Sequence, residues 1–322
     1  MRRLKILTWH IHGSYLNTLS RIDHDWFLPV KSGRPEAYGG RGPTFQLPEY
    51  VYEVPVAEVP QLDLDLILYQ APRNYLEDQY EILSDAQLRL PKIYLEHNTP
   101  RPHPTDSQHP VDDPGILLVH VTQYNRLMWD TGRTPTRVIE HSVALNGAVN
   151  YRGELRRGLT AANCIQQRPR IAGYDIFLQA RERVPLDIVG LQSEAFGGLG
   201  DIPYYQLHQR MADYRFLFSP MRHTSLPLAV IEAMTLGMPI VALATTALPE
   251  VLEHGKSGYL SCDVEELYTH MQHLLDDQQH ARRMGEQAQR VARERFGLER
   301  FVRDWNVAFA EVIGVPARRL EG

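Results

Sequence analysis

The stretch from Phe216 to Leu260 reads FLFSPMRHTSLPLAVIEAMTLGMPIVALATTALPEVLEHGKSGYL, and it sets out the elements of an α/β unit in order. Phe216 to Ser219 is a short apolar run of the kind found in a strand buried on both faces. A polar turn follows, Arg222-His223-Thr224-Ser225, and then a helical pattern that ends at Gly237 and Pro239, both helix stop signals. Ile240 to Ala244 is a second apolar strand. Ser225 stands where an N-cap is expected, and Pro227 falls in the first turn, where a missing N–H costs nothing. One acid, Glu232, lies inside the helix between Val230-Ile231 and Ala233-Met234, so it is either a ligand-facing carboxylate or a residue of a solvated helix face. Strand, turn, helix N-terminus and isolated Glu together suit a phosphate-bearing ligand. The free N–H groups and the helix dipole favour phosphate, and a carboxylate can accept from sugar hydroxyls.

Outward from this core, elements alternate as βα units do. Strands are expected at Lys5 to Ile11, Leu64 to Tyr69, Lys92 to Leu95 and Ile116 to Val121, with a helix at Asn74 to Leu83. Lys31 to Pro48, rich in Gly, Pro and Arg, reads as a loop. A second series begins with strands at Leu159 to Ile165 and Leu186 to Gly190 and a helix at Asp175 to Arg181. Helices then fill Val264 to Leu275, Gln278 to Arg295 and Leu298 to Ile313, the last with Phe301, Trp305, Phe309 and Val312 on one stripe. Strands alternating with helices imply parallel sheets covered on both faces, with ligands beyond the carboxyl ends of the strands.

Composition narrows the class. A chain of 322 residues exceeds a typical single domain, so two are expected. A formal net charge of −5 gives no nucleic-acid footprint. The basic residues are nearly all arginine, the lysines being Lys5, Lys31, Lys92 and Lys256, and arginine suits bidentate phosphate contact. Cys164 and Cys262 make neither a disulfide framework nor a zinc set. No apolar run approaches the ~18 residues of a membrane span and no signal-peptide core is visible, so a cytoplasmic protein is expected. A dehydrogenase is disfavoured because no Gly-x-Gly-x-x-Gly follows a strand, and the Gly-Lys-Ser/Thr loop of Walker-type phosphate transfer is missing.

The Phe216–Leu260 segment resembles the donor-binding signature of the retaining GT-B glycosyltransferases of family 4. It supplies Pro220, Leu228, Glu232, Ala233, Met234, Gly237, Pro239, Ile240 and Val241, then Glu250, Val251, Gly255, Gly258 and Leu260, each at the spacing of that signature. One position departs: the first Glu of the Glu-x7-Glu pair is Thr224 here, and Ser225 and Leu226 replace the Gly-Phe that usually follows. Val138 to Val143 occupies the place of the Ile-Pro-Asn-Gly-Val segment that ends the first domain in that family, and LDIVG, ending at Gly190, resembles its strand ending in Gly-x-Gly.

The resemblance implies an α/β GT-B fold: two Rossmann-like parallel-sheet domains facing across a cleft, at 1–145 and 146–297, with a helix at 298–322 returning to the first. It implies transfer of a sugar, with retention of configuration, from a nucleotide-diphosphate sugar to an acceptor hydroxyl, without a metal or other cofactor. The acceptor would be a glycan, a lipid-linked molecule or a small molecule, with at most peripheral membrane contact. By the same resemblance, Glu232 holds the nucleotide ribose, Thr224, Ser225, Leu226 and Pro227 lie along the donor, and Gly13 lets the His12-Gly13-Ser14 loop approach it. His97, closing the strand IYLEH, lies near the donor sugar. Arg168 and Arg170, before Gly173, stand in for the Arg and Lys that clamp the pyrophosphate, an electrostatic role on the leaving group. Two other readings stay open, both raised by Thr224 or by the shared fold: a silent module that binds a nucleotide sugar or glycan, and a nucleotide-sugar epimerase. Gly13 as a turn glycine, His97 as a structural histidine and Arg168 and Arg170 as solvated arginines stay open as well. The loop EHNTPRPHPTDSQHPVDDP holds His97, His103, Asp106, His109, Asp112 and Asp113 between prolines; it reads either as a rigid rim or, since His and carboxylates suit metals, as a metal site.

Overall fold

The computed structural model describes residues 2–145, 147 and 149–315. The chain forms two compact units, one running to Ser142 and resuming at Leu298, the other Val143–Gly297. Each is a parallel sheet with helices, as the alternation of elements requires.

The first unit holds seven strands: β1 (Lys5–Thr8), β2 (Asp25–Val30), β3 (Val51–Pro55), β4 (Leu66–Tyr69), β5 (Lys92–Glu96), β6 (Ile116–His120) and β7 (Thr136–Val138). Their order is β3-β2-β1-β4-β5-β6-β7, every pair parallel. Strand periodicity separates two apolar layers. Ile6, Leu66, Leu68, Ile93, Leu95, Leu117 and Val119 belong to one core cluster, and Leu7, Ile67, Tyr69, Tyr94, Ile116 and Leu118 to another. The helix Leu298–Val312 seats Phe301, Trp305, Ala308 and Phe309 in the first of these, with Val312 packed at its margin. The stripe read from the sequence is therefore the contact that returns the chain end to this unit.

Sequence reading left β2, β3 and β7 unassigned, and each has a reason to be faint. In β2, DWFLPV, Pro29 argues against a central strand. The ladder to β1 ends at Leu7 with Phe27, so Pro29 removes no bond on that side. β3 ends in Pro55 at one edge of the sheet, and β7 is three residues long at the other. The expected helix from Asn74 to Leu83 instead opens as a π-turn, Asn74–Asp78, before one α-helical turn, Gln79–Ile82. The Asn74 side chain donates to buried Asp78 across that widened turn at 2.8 Å.

The second unit holds β8 (Leu155–Ala161), β9 (Leu186–Val189), β10 (Tyr214–Ser219), β11 (Ile240–Leu243) and β12 (Tyr259–Ser261) in the order β12-β11-β10-β8-β9, again all parallel. β8 begins and ends four residues earlier than expected. Its opening arginines lie at the surface, Arg157 pairing with Asp187 at 2.6 Å, and the chain has left the sheet by Cys164, which adopts a left-handed φ of 50°. Phe216, Phe218, Val241 and Leu243 project into a core shared with Ile176, Phe177, Leu267, Met271 and Leu274 of flanking helices. The opposite side of β10 and β11 is covered by the helix Leu228–Leu236, which ends on Gly237 at φ 86°, as its sequence anticipates. No described helix is long and apolar enough to cross a membrane.

Trp305 is fully buried, and its indole Nε1 donates to Tyr15 OH at 3.3 Å. Replacing it with alanine removes that donor and leaves a large cavity. Trp305→Ala is expected to lower unfolding free energy by about 3–5 kcal/mol, read as a shift of the urea midpoint at unchanged slope; a loss under ~1 kcal/mol would mean the helix is not anchored there.

Candidate functional site

In a parallel sheet the place for a ligand is where strand order reverses. In the second unit that point lies between β8 and β10, and the chain leaving β10 is Pro220 to Pro227. A cleft of about 10 Å³, room for one water, lies there between the ends of β8 and β10 and the residues Pro220, Pro227 and Val230.

The 220–227 turn is held by bonds from two sides. Ile171 O accepts from the amides of Arg222 and His223 at 2.9 and 3.3 Å. Thr245 Oγ1 donates to Met221 O at 2.9 Å, and Thr246 Oγ1 to Ser225 O at 3.1 Å. Gly173 (φ 76°) lies so close that a Cβ there would sit 1.9 Å from Pro220 O, which only glycine allows. Among the described residues the amides of Thr224, Ser225 and Leu226 donate to no backbone carbonyl. Ser225 is not the N-cap expected of it: the helix starts at Leu228, with Pro227 extended (φ −61°, ψ 128°) as the capping residue. Proline keeps Leu226 out of the helical region, so the helix cannot begin earlier. The Ser225 hydroxyl is instead buried without a partner, as is that of Ser219 at the end of β10. One orphaned hydroxyl at the end of β10 and another in the turn that follows are groups that a polar ligand or ordered water can satisfy.

Glu232 is 4 % exposed, one turn inside the helix. Tyr204 OH donates to its Oε1 at 3.1 Å, and His208 Nε2 lies 3.7 Å from the same oxygen. No described residue donates to Oε2. The solvated-face reading of this Glu is therefore not what the structure contains. Tyr204 and His208 stand four residues apart on the helix Tyr204–Met211, so both reach one partner. That spacing was visible in the sequence; which carboxylate it served was not.

Arg168 and Arg170 flank the N-terminus of a four-residue helical turn, Pro169–Ala172. Both are exposed. Arg170 pairs with Asp175 at 2.7 Å, and Arg222 makes two bonds to the same carboxylate at 2.6 and 2.7 Å. The Arg222 bonds, first among several, hold the Asp175 carboxyl below its usual range. In the sequence Arg222 is one residue of a polar turn; in the structure it joins the Arg170 segment to that turn. Gly190 has φ 134°, and a Cβ on it would lie 2.4 Å from Ala162 O, so this glycine permits backbone to pass backbone.

In the first unit the order reverses between β1 and β4. Gln70, after β4, donates through Nε2 to Thr8 Oγ1 and Trp9 O, both at 2.9 Å. Its Oε1 faces His97 Nε2 at 3.1 Å. Since that oxygen can only accept, His97 carries its proton on Nε2 and keeps a lone pair on Nδ1. The His97 ring meets His12 and Tyr15 edge-on at 4.3 and 4.7 Å, and Tyr15 meets His141 at 5.5 Å. Burial pushes the imidazole pKa values down: His12 below its usual value, His97 well below it, and His141 to about 3, with Arg300 a smaller cause for His141. Gly13 opens the short helix Gly13–Leu19, and a Cβ there would be 2.6 Å from the Phe45 ring. Gly13 and His97 thus border one end of the sheet. Three other polar side chains of the His97–Asp113 loop are engaged separately. His109 Nε2 lies 3.2 Å from Glu96, Arg133 donates to Asp112 at 3.1 Å, and Asp113 accepts from the Gly115 amide.

The Lys31–Pro48 loop, which sequence reading left without a role, walls a cavity of about 600 Å³ with His10, Arg34, Glu36, Gly42 and Glu53. Arg34 makes two 2.8 Å bonds to Glu53, chiefly through which that carboxyl is held down at about 2. Arg34 and Ala37 take left-handed φ values of 46° and 71°, strain that clusters at binding sites.

The family model described as Glycosyl transferases group 1 matches residues 191–291. Over 106 residues the chain is 32% identical to the N-acetyl-alpha-D-glucosaminyl L-malate synthase of Bacillus anthracis, a match covering 32% of this chain and 27% of that protein. The chain therefore spans about a quarter of that curated relative. Two solved structures share the fold over nearly the whole chain. Sucrose-phosphate synthase of Thermosynechococcus elongatus superposes with a TM-score of 0.71 at 13% identity, covering 97% of this chain and 100% of that one. Anabaena HepE, solved in complex with UDP and glucose, gives 0.71 at 16% identity, with 96% and 100% covered.

Neutral buried histidines make stability depend on pH with a definite sign. Their folded pKa values lie below the unfolded value of 6.5, so their contribution is whole above pH ~6.5 and is lost as pH falls toward 3. Each such histidine adds a slope of up to about 1.4 kcal/mol per pH unit in that window. Urea titrations between pH 7.5 and 4.5 are expected to show the decline and a shallower one for His141→Gln; an unchanged slope in that variant would mean His141 is protonated in the fold.

These findings give the chain the GT-B fold, two parallel-sheet α/β units, and its second unit carries the match to the Glycosyl transferases group 1 family.

Proposed function

We propose that this protein is a retaining glycosyltransferase that moves a sugar from a uridine-diphosphate sugar to an acceptor hydroxyl, without a metal in the transfer itself. The observation that carries the reading is Glu232: a buried carboxylate with one oxygen held by Tyr204 and the other with no donor among the described residues, beside the strand-end turn 220–227. A carboxylate oxygen left open there suits a diol such as a ribose. The unpaired amides of Thr224 to Leu226 and the hydroxyls of Ser219 and Ser225 supply donors for a diphosphate. Arg168 and Arg170 add positive charge for the leaving phosphate, and Arg222 fixes the segment that carries them. Uridine is favoured because HepE and the Staphylococcus aureus glycosyltransferase-fold neighbour TarM were both solved with UDP.

Thr224 offers no carboxylate to the donor sugar, so its hydroxyl and neighbouring backbone would make that contact. The leaving diphosphate would take the acceptor proton on the face from which it departs. In the first unit, burial lowers the His97 pKa, so its ring suits hydrogen bonds to hydroxyl groups rather than a charged contact. The 600 Å³ cavity beside Arg34 and Glu53 is the place for a polar acceptor, either a glycan or a small hydroxylated molecule. A protein that binds the nucleotide sugar without transferring it is the second reading, and Thr224 is the residue that favours it.

A thermal-shift series with UDP, GDP and ADP tests the base. A ligand at ~100 times its Kd adds about 2.7 kcal/mol to stability, so UDP is expected to raise Tm by several degrees where the others do not. Glu232→Ala is expected to weaken UDP binding by about 1–3 kcal/mol, roughly 5- to 150-fold; calorimetry giving equal affinity would remove Glu232 from the ribose. Thr224→Glu separates the two readings. With the UDP-sugar that shifts Tm, hydrolysis or transfer in the parent chain supports the enzyme. If turnover appears only in Thr224→Glu, the silent module is the better description.

A further inference from the structure

A second cluster of metal-ligating side chains lies in the second unit, on residues to which the donor reading gives no role. His254 follows the short helix Leu248–Val251 in the turn that leads into β12, while Glu266 and His270 stand four residues apart on the helix Val264–Asp276. On a helix that spacing puts two side chains on one face, one turn apart. One ligand atom from each of the three lies within 4.8 Å of the others.

Each of the three is oriented by something other than its two companions. Glu253 to Gly258 form a tight turn, closed by Gly255 N to Gly258 O at 2.8 Å with Gly255 at φ 77°. Within it His254 Nδ1 meets Leu260 O at 2.7 Å. The Leu260 amide is also near that nitrogen, at 3.2 Å, but the shorter contact to a carbonyl requires a proton on Nδ1. The lone pair of His254 is then on Nε2, the tautomer a metal takes when the other nitrogen donates to backbone. Ser261 Oγ donates to Glu266 Oε2 at 2.5 Å, which turns Oε1 toward His270 Nε2, 3.4 Å away. The His270 ring lies flat on Tyr259, centroids 3.8 Å apart and planes 5° from parallel. Carbonyl, hydroxyl and ring are the outer partners that a histidine–carboxylate metal site needs.

We propose that His254, Glu266 and His270 form a zinc-class divalent metal site, with water completing the coordination, that ties the turn before β12 to the following helix. Zinc bonds of ~2.0–2.1 Å in a tetrahedron place neighbouring ligand atoms ~3.3 Å apart. The Glu266–His270 edge, at 3.4 Å, already has that length. The remaining closure is a small shift of the exposed His254 ring that keeps its Nδ1 bond to Leu260 O, the ring centroid being 5.4 Å from that of His270. Two imidazoles and one carboxylate suit zinc over magnesium or calcium, which prefer all-oxygen sets. The site is structural. It holds a surface turn and plays no part in the proposed sugar transfer, so it stands or falls independently of that reading.

The test is zinc titration of the full chain, first freed of metal by chelation, by calorimetry at pH 7.5. One equivalent is expected to bind, with loss of that equivalent in His254→Ala and His270→Ala, weakening of at least tenfold in Glu266→Gln, and full binding in His273→Ala, the adjacent histidine. Zinc should raise the Tm of the parent and of His273→Ala only. X-ray absorption of the zinc-loaded parent, expected to show two imidazoles and an oxygen donor, keeps the test independent of how the variants fold. No stoichiometric binding, equal binding in all variants, or an absorption spectrum without two imidazoles would each overturn the proposal.

Discussion

Both sheets are parallel throughout, and a parallel strand covered on both faces can meet a ligand only at its end. That constraint governs where chemistry can lie. In the second unit it directs the chain leaving β10 into a turn that must carry any ligand contact. The turn is therefore tied down from both flanks, by Ile171 O on one side and by Thr245 and Thr246 on the other. Gly173 sets how closely the flanking segment can approach. In the first unit the same rule puts Gln70, His97 and the His12–Gly13 turn at one end of the sheet.

The two sheet ends differ in electrostatics. The second unit gathers charge, with arginines on Asp175 and a buried Glu232 whose partners are Tyr204 and His208. The first unit gathers imidazoles that burial keeps neutral. Charge suits a diphosphate and its sugar; neutral donors and acceptors suit hydroxyl groups, which gain little from a full charge.

Local signals were legible where local physics decides. Gly237 ends its helix because only the left-handed region allows that turn, and the helices Val264–Asp276 and Gln278–Arg295 follow their periodicity almost to the residue. The stripe of Phe301, Trp305 and Phe309 could only be an interface, and the structure shows what it covers. Pro29 hid β2 because its harmlessness depends on where the ladder to β1 stops, a fact of register rather than sequence. Ser225 looked like an N-cap by type and position, but Pro227 delayed the helix and left the hydroxyl to face the turn.

By itself the sequence determined the fold class, the alternation of strands and helices, the segment that bears the family signature, and Glu232 as the one acid in an apolar helix. Each follows from periodicity, capping or spacing along the chain. The tertiary structure alone decided that Tyr204 and His208 hold Glu232, that Arg222 shares Asp175 with Arg170, and that Gly190 serves a backbone crossing. It alone brought His254 to the face carrying Glu266 and His270. Those pairings join residues 12 to 47 positions apart, and hydrogen-bond and ligand geometry depends on tenths of an ångström that only packing sets.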